Sequence, residues 1–67
     1  MPYRIVKMTD TTVNDDVVRT KQRAMEIAQS HCQKKGYVAE IHRMARGEAI
    51  TIMRYWRDSE GLQYLEY

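Results

Sequence analysis

Cysteine is nearly absent from this sequence, which has Cys32 alone among its 67 residues. A disulfide framework needs at least two cysteines, so we expect a chain that folds in a reducing compartment, the cytoplasm. No apolar run approaches the ~20 residues of a membrane-spanning helix, which argues against a membrane protein. The first four residues, Met1-Pro2-Tyr3-Arg4, carry no apolar signal region, so we expect no export.

Motifs that carry catalysis or hold cofactors are also missing. The sequence has no glycine-rich phosphate loop, no nucleophile elbow and no clustered pair of carboxylates. His31, Cys32 and His42 match no zinc spacing. Glu40 lies two residues before His42, where a carboxylate can tune a general base, but such pairs are more often solvent-facing. We therefore predict a protein that is not an enzyme and uses no metal or cofactor.

The length of 67 residues predicts a single domain, residues 1–67. A domain of this size buries only ~60% of the surface that its unfolded chain exposes. Little room is left for an enclosed catalytic cavity, so the chain suits a protein that works through its outer surface. With 43% hydrophobic and 30% charged residues, the composition is that of a globular chain.

Apolar patterning and turn residues predict two strands, one helix and then three strands. The predicted strands are residues 3–8, 17–19, 37–44, 49–57 and 62–67. Thr20 is a suitable N-cap, since its hydroxyl can accept a free backbone N–H, and the helix then runs to about Lys35 and stops at Gly36. Asp58 to Gly61 predicts the turn before the last strand.

The predicted helix is amphipathic, with its apolar residues in one arc at 100° per residue. This arc contains Ala24, Met25, Ile27, Ala28, His31 and Cys32. A lone helix must lie across one face of an antiparallel sheet, because nothing else can cover its apolar stripe. We therefore predict an α+β fold of order β-β-α-β-β-β. The other sheet face, here called the open face, then meets water or a partner.

Positive charge is concentrated in the middle of the chain, although the net charge is only +2. Residues 17–36 carry five basic residues and one acidic residue, a local net charge of +4. The basic residues are Arg19, Lys21, Arg23, Lys34 and Lys35. Such a patch can attract nucleic acid or an acidic protein, and the plainer alternative is a solvated helix face.

Two adjacent aromatic residues, Tyr55 and Trp56, lie between two arginines in the strongest predicted strand. Alternation sends the two rings to opposite sheet faces. Ile50 and Ile52 share a side with Trp56, so we expect Trp56 beneath the helix and Tyr55 with Arg57 on the open face. On the preceding strand, we expect Ala39 and Ile41 in the core.

An aromatic ring beside a cation on the open face has two functional interpretations. The pair can stack a base and hold a phosphate, or it can anchor a protein interface. The structural alternative is cross-strand packing, with Tyr55 against Tyr64.

The element order resembles that of small phage-encoded anti-CRISPR proteins. The segments that carry the resemblance are "YRIVKM", "TKQRAMEIAQSHCQKKG", "VAEIHRM", "ITIMRYWRDSEG" and "YLEY". The layout is similar to that of a type I-F inhibitor with one helix on a five-stranded sheet. The resemblance implies binding to an RNA-guided surveillance complex in the host cytoplasm and a block on target DNA pairing. It assigns the contacts to basic and aromatic residues, which here are Arg19, Arg23, Lys34 and Lys35, with Tyr55 and Arg57 as a second surface.

Three functions are consistent with the sequence. The first is a small inhibitor or adaptor, from a phage or mobile element, that binds a host protein or ribonucleoprotein complex. The second is a nucleic-acid-binding domain that uses the basic segment 17–36 and an aromatic sheet face. The third is a structural domain that pairs with copies of itself as a homo-oligomer.

Overall fold

In the computed structural model, which describes residues 2–67, five antiparallel strands form one sheet. One helix lies across one face of this sheet. The elements are β1 (Tyr3–Met8), β2 (Val13–Val18), α1 (Lys21–His31), β3 (Val38–Ala45), β4 (Glu48–Asp58) and β5 (Gly61–Glu66). The strands lie in the order β2-β1-β3-β4-β5, so β2 and β5 form the edges. This architecture confirms the predicted α+β fold and its element order.

The second strand is longer than the sequence predicted, because it begins at Val13 rather than Val17. Its polar residues pair with basic residues of β1: Lys7 Nζ lies 2.6 Å from Asp16, and Arg4 Nε lies 3.5 Å from Asp15. Strand propensity alone disfavours aspartate. Charged residues are common on edge strands such as β2, because they discourage the free edge from pairing with a strand of another chain.

The helix begins as predicted and ends earlier. The Thr20 hydroxyl accepts the backbone N–H of Arg23 at 3.2 Å, which confirms the N-cap. The helix ends at His31 rather than near Lys35, with Cys32 as its C-cap. Residues 34–37 form a turn instead, closed by a hydrogen bond from the Tyr37 N–H to the Lys34 carbonyl at 3.2 Å.

The core lies between the helix and the sheet. Two alanines of the helix, Ala24 and Ala28, are fully buried, and their small side chains bring the helix backbone close to the strands. The other buried residues are Ile5, Cys32, Ala39, Ile41, Met53 and Tyr55. The core positions predicted for Ala39 and Ile41 are therefore confirmed.

A bulge in β4 reverses the predicted positions of the two aromatic residues. Ile41 pairs with Met53 and His42 with Thr51, so Ile52 is an extra residue without a partner on β3. Ile52 and the next residue, Met53, both pack against the core. Alternation resumes one residue out of phase after such a bulge.

As a result, the prediction that Tyr55 lies on the open face is wrong. Its side chain is only 2% exposed, and its hydroxyl accepts a hydrogen bond from Gln29 of the helix at 3.4 Å. Trp56 points to the other side of the sheet and is half-buried there. The packing of Tyr55 against Tyr64, which was the structural alternative, is present, with ring centroids 5.8 Å apart.

Arg57 shares the helix side with Tyr55, so its predicted place on the open face is also wrong. The Arg57 Nε–H donates to the Cys32 carbonyl at 2.7 Å. This carbonyl is one of those that a helix end leaves without an internal partner. The guanidinium therefore closes the end of α1, where a cation is also favoured by the helix dipole.

These positions predict a clear difference between the two aromatic residues in stability. Tyr55→Ala should cost about 3–5 kcal/mol, as for other buried aromatic residues. That approaches the whole stability of a domain this small, which is ~3–5 kcal/mol. Trp56→Ala should cost less, since the Trp56 side chain is only half-buried. Urea unfolding followed by circular dichroism measures both values. If Tyr55→Ala stayed folded while Trp56→Ala unfolded, the placement of Tyr55 in the core and Trp56 on the open face would be contradicted.

Candidate functional site: a groove on the open face

An apolar row crosses the open face from one sheet edge toward the other. Val13 of β2 pairs with Met8 of β1, which pairs with Val38 of β3, and Val38 pairs with Trp56 of β4. Directly opposed residues in an antiparallel sheet share a face. The next residue in the row, Gln63 of β5, is polar. No element of residues 2–67 packs over this row.

Charged residues on the open face are arranged in opposite pairs. Arg4 faces Asp15 at 3.5 Å, and Glu40 lies 3.2 Å from His42 and 4.0 Å from Arg54. Partly exposed pairs of this kind each contribute ~0–1 kcal/mol to stability. Their larger effect is on the electrostatic field, because the opposite charges leave the centre of the face nearly neutral.

The apolar row ends in a groove of about 480 Å³ over β3, β4 and β5. Three aromatic residues, two arginines, two aliphatic residues and a glycine line it: Gly36, Tyr37, Val38, Arg54, Trp56, Arg57, Leu65 and Tyr67. None of the residues that line the groove is acidic. It thus combines an apolar floor with positive charge, which makes it the candidate binding site.

The groove is linked to the end of the helix through one of its walls. The Tyr37 ring stacks on His31, with centroids 5.2 Å apart. His31 is held by a contact of 2.9 Å between its Nε2 and the Met8 carbonyl. The stacking on His31 therefore holds the Tyr37 ring in place, and the loop that carries Tyr37 has a defined position beside the sheet.

The structure does not bring the predicted basic residues into one patch. Arg19 and Arg23 lie at the start of α1, while Lys34 and Lys35 follow its end. A helix of 11 residues is about 16 Å long, so the two pairs are well separated. Arg23 is also occupied by Glu26 at 3.3 Å.

Only part of the predicted set lies near the groove. Arg57 lines it, and Lys34 and Lys35 belong to the exposed loop that supplies Gly36 and Tyr37. Arg19 and Arg23 lie at the far end of the helix, and Tyr55 lies in the core.

Other residues of the groove were not among the predicted site residues. These are Arg54, Trp56, Leu65 and Tyr67, together with Tyr37 and Val38. The spacing of Arg54 and Trp56 by two residues already indicated a shared face. The sequence did not show that this shared face is the open face of the sheet, because the bulge at Ile52 has no distinct sequence signal.

The residues with catalytic potential are less accessible than the groove. Cys32 is completely buried, and this burial raises the pKa of its thiol, although a hydrogen bond from the Ala39 backbone and the Arg57 charge partly oppose the shift. His42 Nδ1 is buried without a hydrogen-bond partner among the residues described. Within residues 2–67, no three histidine, cysteine or acidic side chains cluster as metal ligands would. The described helix is too short and too polar to cross a membrane.

Comparisons with known proteins do not assign this chain to a family. No family model, curated protein or solved structure matches it. The resemblance to anti-CRISPR proteins therefore stays a prediction from the order of elements. The function has to be argued from the groove and from the face on which it lies.

The raised pKa of Cys32 predicts a loss of stability at alkaline pH. The unfolded thiol ionises near its ordinary pKa of 9.0, whereas the buried thiol ionises only at higher pH. The contribution of the neutral, buried Cys32 thiol to the free energy of unfolding is therefore fully present below pH 9.0 and is lost as pH rises through the native pKa. Guanidinium unfolding of the wild type and of Cys32→Ala between neutral and alkaline pH measures this contribution. Above pH 9, the wild type should lose more unfolding free energy than Cys32→Ala does. A difference between the two proteins that stays constant with pH would contradict the prediction.

Proposed function

We propose that this protein is a small non-catalytic binding protein that holds a protein partner in the groove of its open face. The observation that supports the proposal is the apolar groove around Trp56, on a sheet face that no described element covers. Antiparallel sheets with one solvated face normally carry polar residues there. Apolar residues on such a face are typical of an interaction surface.

The residue types in the groove support a protein partner in particular. Tryptophan, tyrosine and arginine supply most of the binding energy at protein interfaces, where they fill pockets at the centre of the contact. Trp56 is already half-buried between its neighbours, so its ring is held in place before binding. A side chain fixed in advance loses less conformational entropy when the complex forms.

The resemblance in element order extends this proposal to a class of partner. We propose that the partner is a host protein or ribonucleoprotein complex, with the type I-F surveillance complex as the first to test. In that case the protein is a phage or mobile-element inhibitor that acts in the host cytoplasm and blocks target DNA binding. The groove, rather than the start of the helix, makes the contact.

The arrangement of charge favours this interpretation over nucleic-acid binding along the whole face. A bound strand needs cations along its length, because each phosphate carries a charge. Asp15 and Glu40 lie on the open face near Arg4 and Arg54, so acidic side chains interrupt the positive charge along this face. The basic residues at the groove, Arg54 and Arg57 with Lys34 and Lys35 in the adjacent loop, form a local group and not a continuous row along the face.

Two neighbouring residues of β5 give a matched test of the contact surface. Leu65 lies in the groove and is 49% exposed, whereas Tyr64 lies on the helix side and is 62% exposed. Leu65→Glu should weaken partner binding about tenfold or more, the effect of a central interface residue. Tyr64→Glu should leave binding nearly unchanged. The measurement is titration of a purified type I-F complex with labelled protein, alongside its ability to bind target DNA.

Lysate capture with the same variants separates the proposal from its alternatives. Bacterial lysate should yield a complex that the wild type and Tyr64→Glu retain and Leu65→Glu loses. Capture of nucleic acid alone, without a protein complex, would support the nucleic-acid alternative and contradict the proposal. Sedimentation of the protein alone tests self-association, and a dimer that Leu65→Glu dissolves would assign the groove to a second copy.

A further inference from the structure

From the charges around the groove, we infer that its occupant is an acidic segment of a protein, which inserts an aliphatic side chain beside Trp56 and places a carboxylate against Arg54. The inference rests on the proposed function and adds the chemistry of the partner. The groove floor consists of Val38, Trp56 and Leu65, which suit an aliphatic side chain in size and polarity. Burial of such a side chain supplies a non-directional driving force.

Arg54 has the geometry of a cation that is free to take a second partner. Its side chain is 45% exposed, and its only acidic neighbour within the described chain is Glu40 at 4.0 Å, the outer limit of an ion pair. Glu40 lies closer to His42, at 3.2 Å. A carboxylate that reached Arg54 at hydrogen-bond distance could be bound by two parallel N–H donors.

Arg57 contributes a second cation whose position is fixed. Its Nε–H is used by the Cys32 carbonyl at 2.7 Å, and no described residue accepts a hydrogen bond from its terminal nitrogens. Arg57 is among the residues that line the groove, while its guanidinium is directed to the helix side, where it binds the end of α1. Lys34 and Lys35, which form no ion pair within residues 2–67, add positive charge from the neighbouring loop.

A protein segment fits these features better than a nucleic-acid strand. The donors are clustered at one end, whereas phosphates follow each other at regular intervals along a strand. The floor beside Trp56 is formed by the aliphatic residues Val38 and Leu65, and the residue that pairs with Trp56 on β5, Gln63, is polar but does not line the groove. An acidic segment with an aliphatic residue complements both the charge and the floor.

Trp56 is the only tryptophan in the chain, so its fluorescence reports binding in the groove directly. The probes are three end-blocked synthetic peptides of equal length, in which leucine alternates with glutamate, leucine with lysine, or serine with glutamate. The leucine–glutamate peptide should change Trp56 emission and bind about tenfold more tightly than either of the others, since one charge pair at an interface is worth about that factor. Its affinity should fall moderately as salt rises.

Charge reversal at Arg54 provides the decisive variant. Arg54→Glu should reverse the order of affinity, so that the leucine–lysine peptide binds more tightly than the leucine–glutamate peptide. Arg19→Glu makes the same change in net charge at an exposed residue far from the groove and should leave the order unchanged. Both substitutions are at exposed side chains, so both variants should fold, and a far-UV circular dichroism spectrum like that of the wild type verifies this.

Two results would overturn the inference. One is equal affinity for the three peptides, or an order that Arg54→Glu does not change. The other is tighter binding of single-stranded oligothymidylate than of the leucine–glutamate peptide, which would assign the groove to nucleic acid. The proposed function fails separately: it is lost if Leu65→Glu retains the partner, whereas the charge inference is lost if Leu65→Glu releases the partner and Arg54→Glu has no effect.

Discussion

The extra residue at Ile52 is the constraint on which both sides of the sheet depend. Because Ile52 and Met53 both pack toward the helix, every later residue of β4 changes face relative to simple alternation. This places the Tyr55 ring in the core, where its hydroxyl lies within reach of Gln29. It also places Trp56 on the open face, where the groove forms around it. One local irregularity thus determines the largest buried side chain and the centre of the candidate site.

Arg57 connects these two consequences of the bulge. It follows Trp56 in the chain, points to the helix side and binds the Cys32 carbonyl at the end of α1. The helix therefore ends where β4 supplies a donor, and the loop that follows is directed toward the groove. Tyr37, stacked on His31, completes this loop. The same arginine binds the end of the helix and belongs to the groove lining, so the helix end and the site share one residue.

The fold could be predicted from the sequence because its signals are local. Turn residues such as Gly61, the Thr20 cap and the apolar arc of the helix each depend on near neighbours. The groove could not be predicted in the same way. Ile52 and Met53 are both apolar, so a bulged pair looks the same as one residue on each face. The end of the helix was also missed: its C-cap, Cys32, is bound by Arg57, which lies 25 residues further along the chain, and such a contact leaves no local signal.

The open face also shows why stability alone does not account for this sequence. A helix of 11 residues covers one side of the sheet, whereas no described element covers the other side. Leu65 and Tyr67 remain 49% and 66% exposed, so their apolar surface stabilises the domain only slightly. A polar residue at either position would serve folding equally well and solubility better. Their presence beside Trp56 and two arginines is explained when the groove has an occupant, because the same apolar surface is then removed from water on binding.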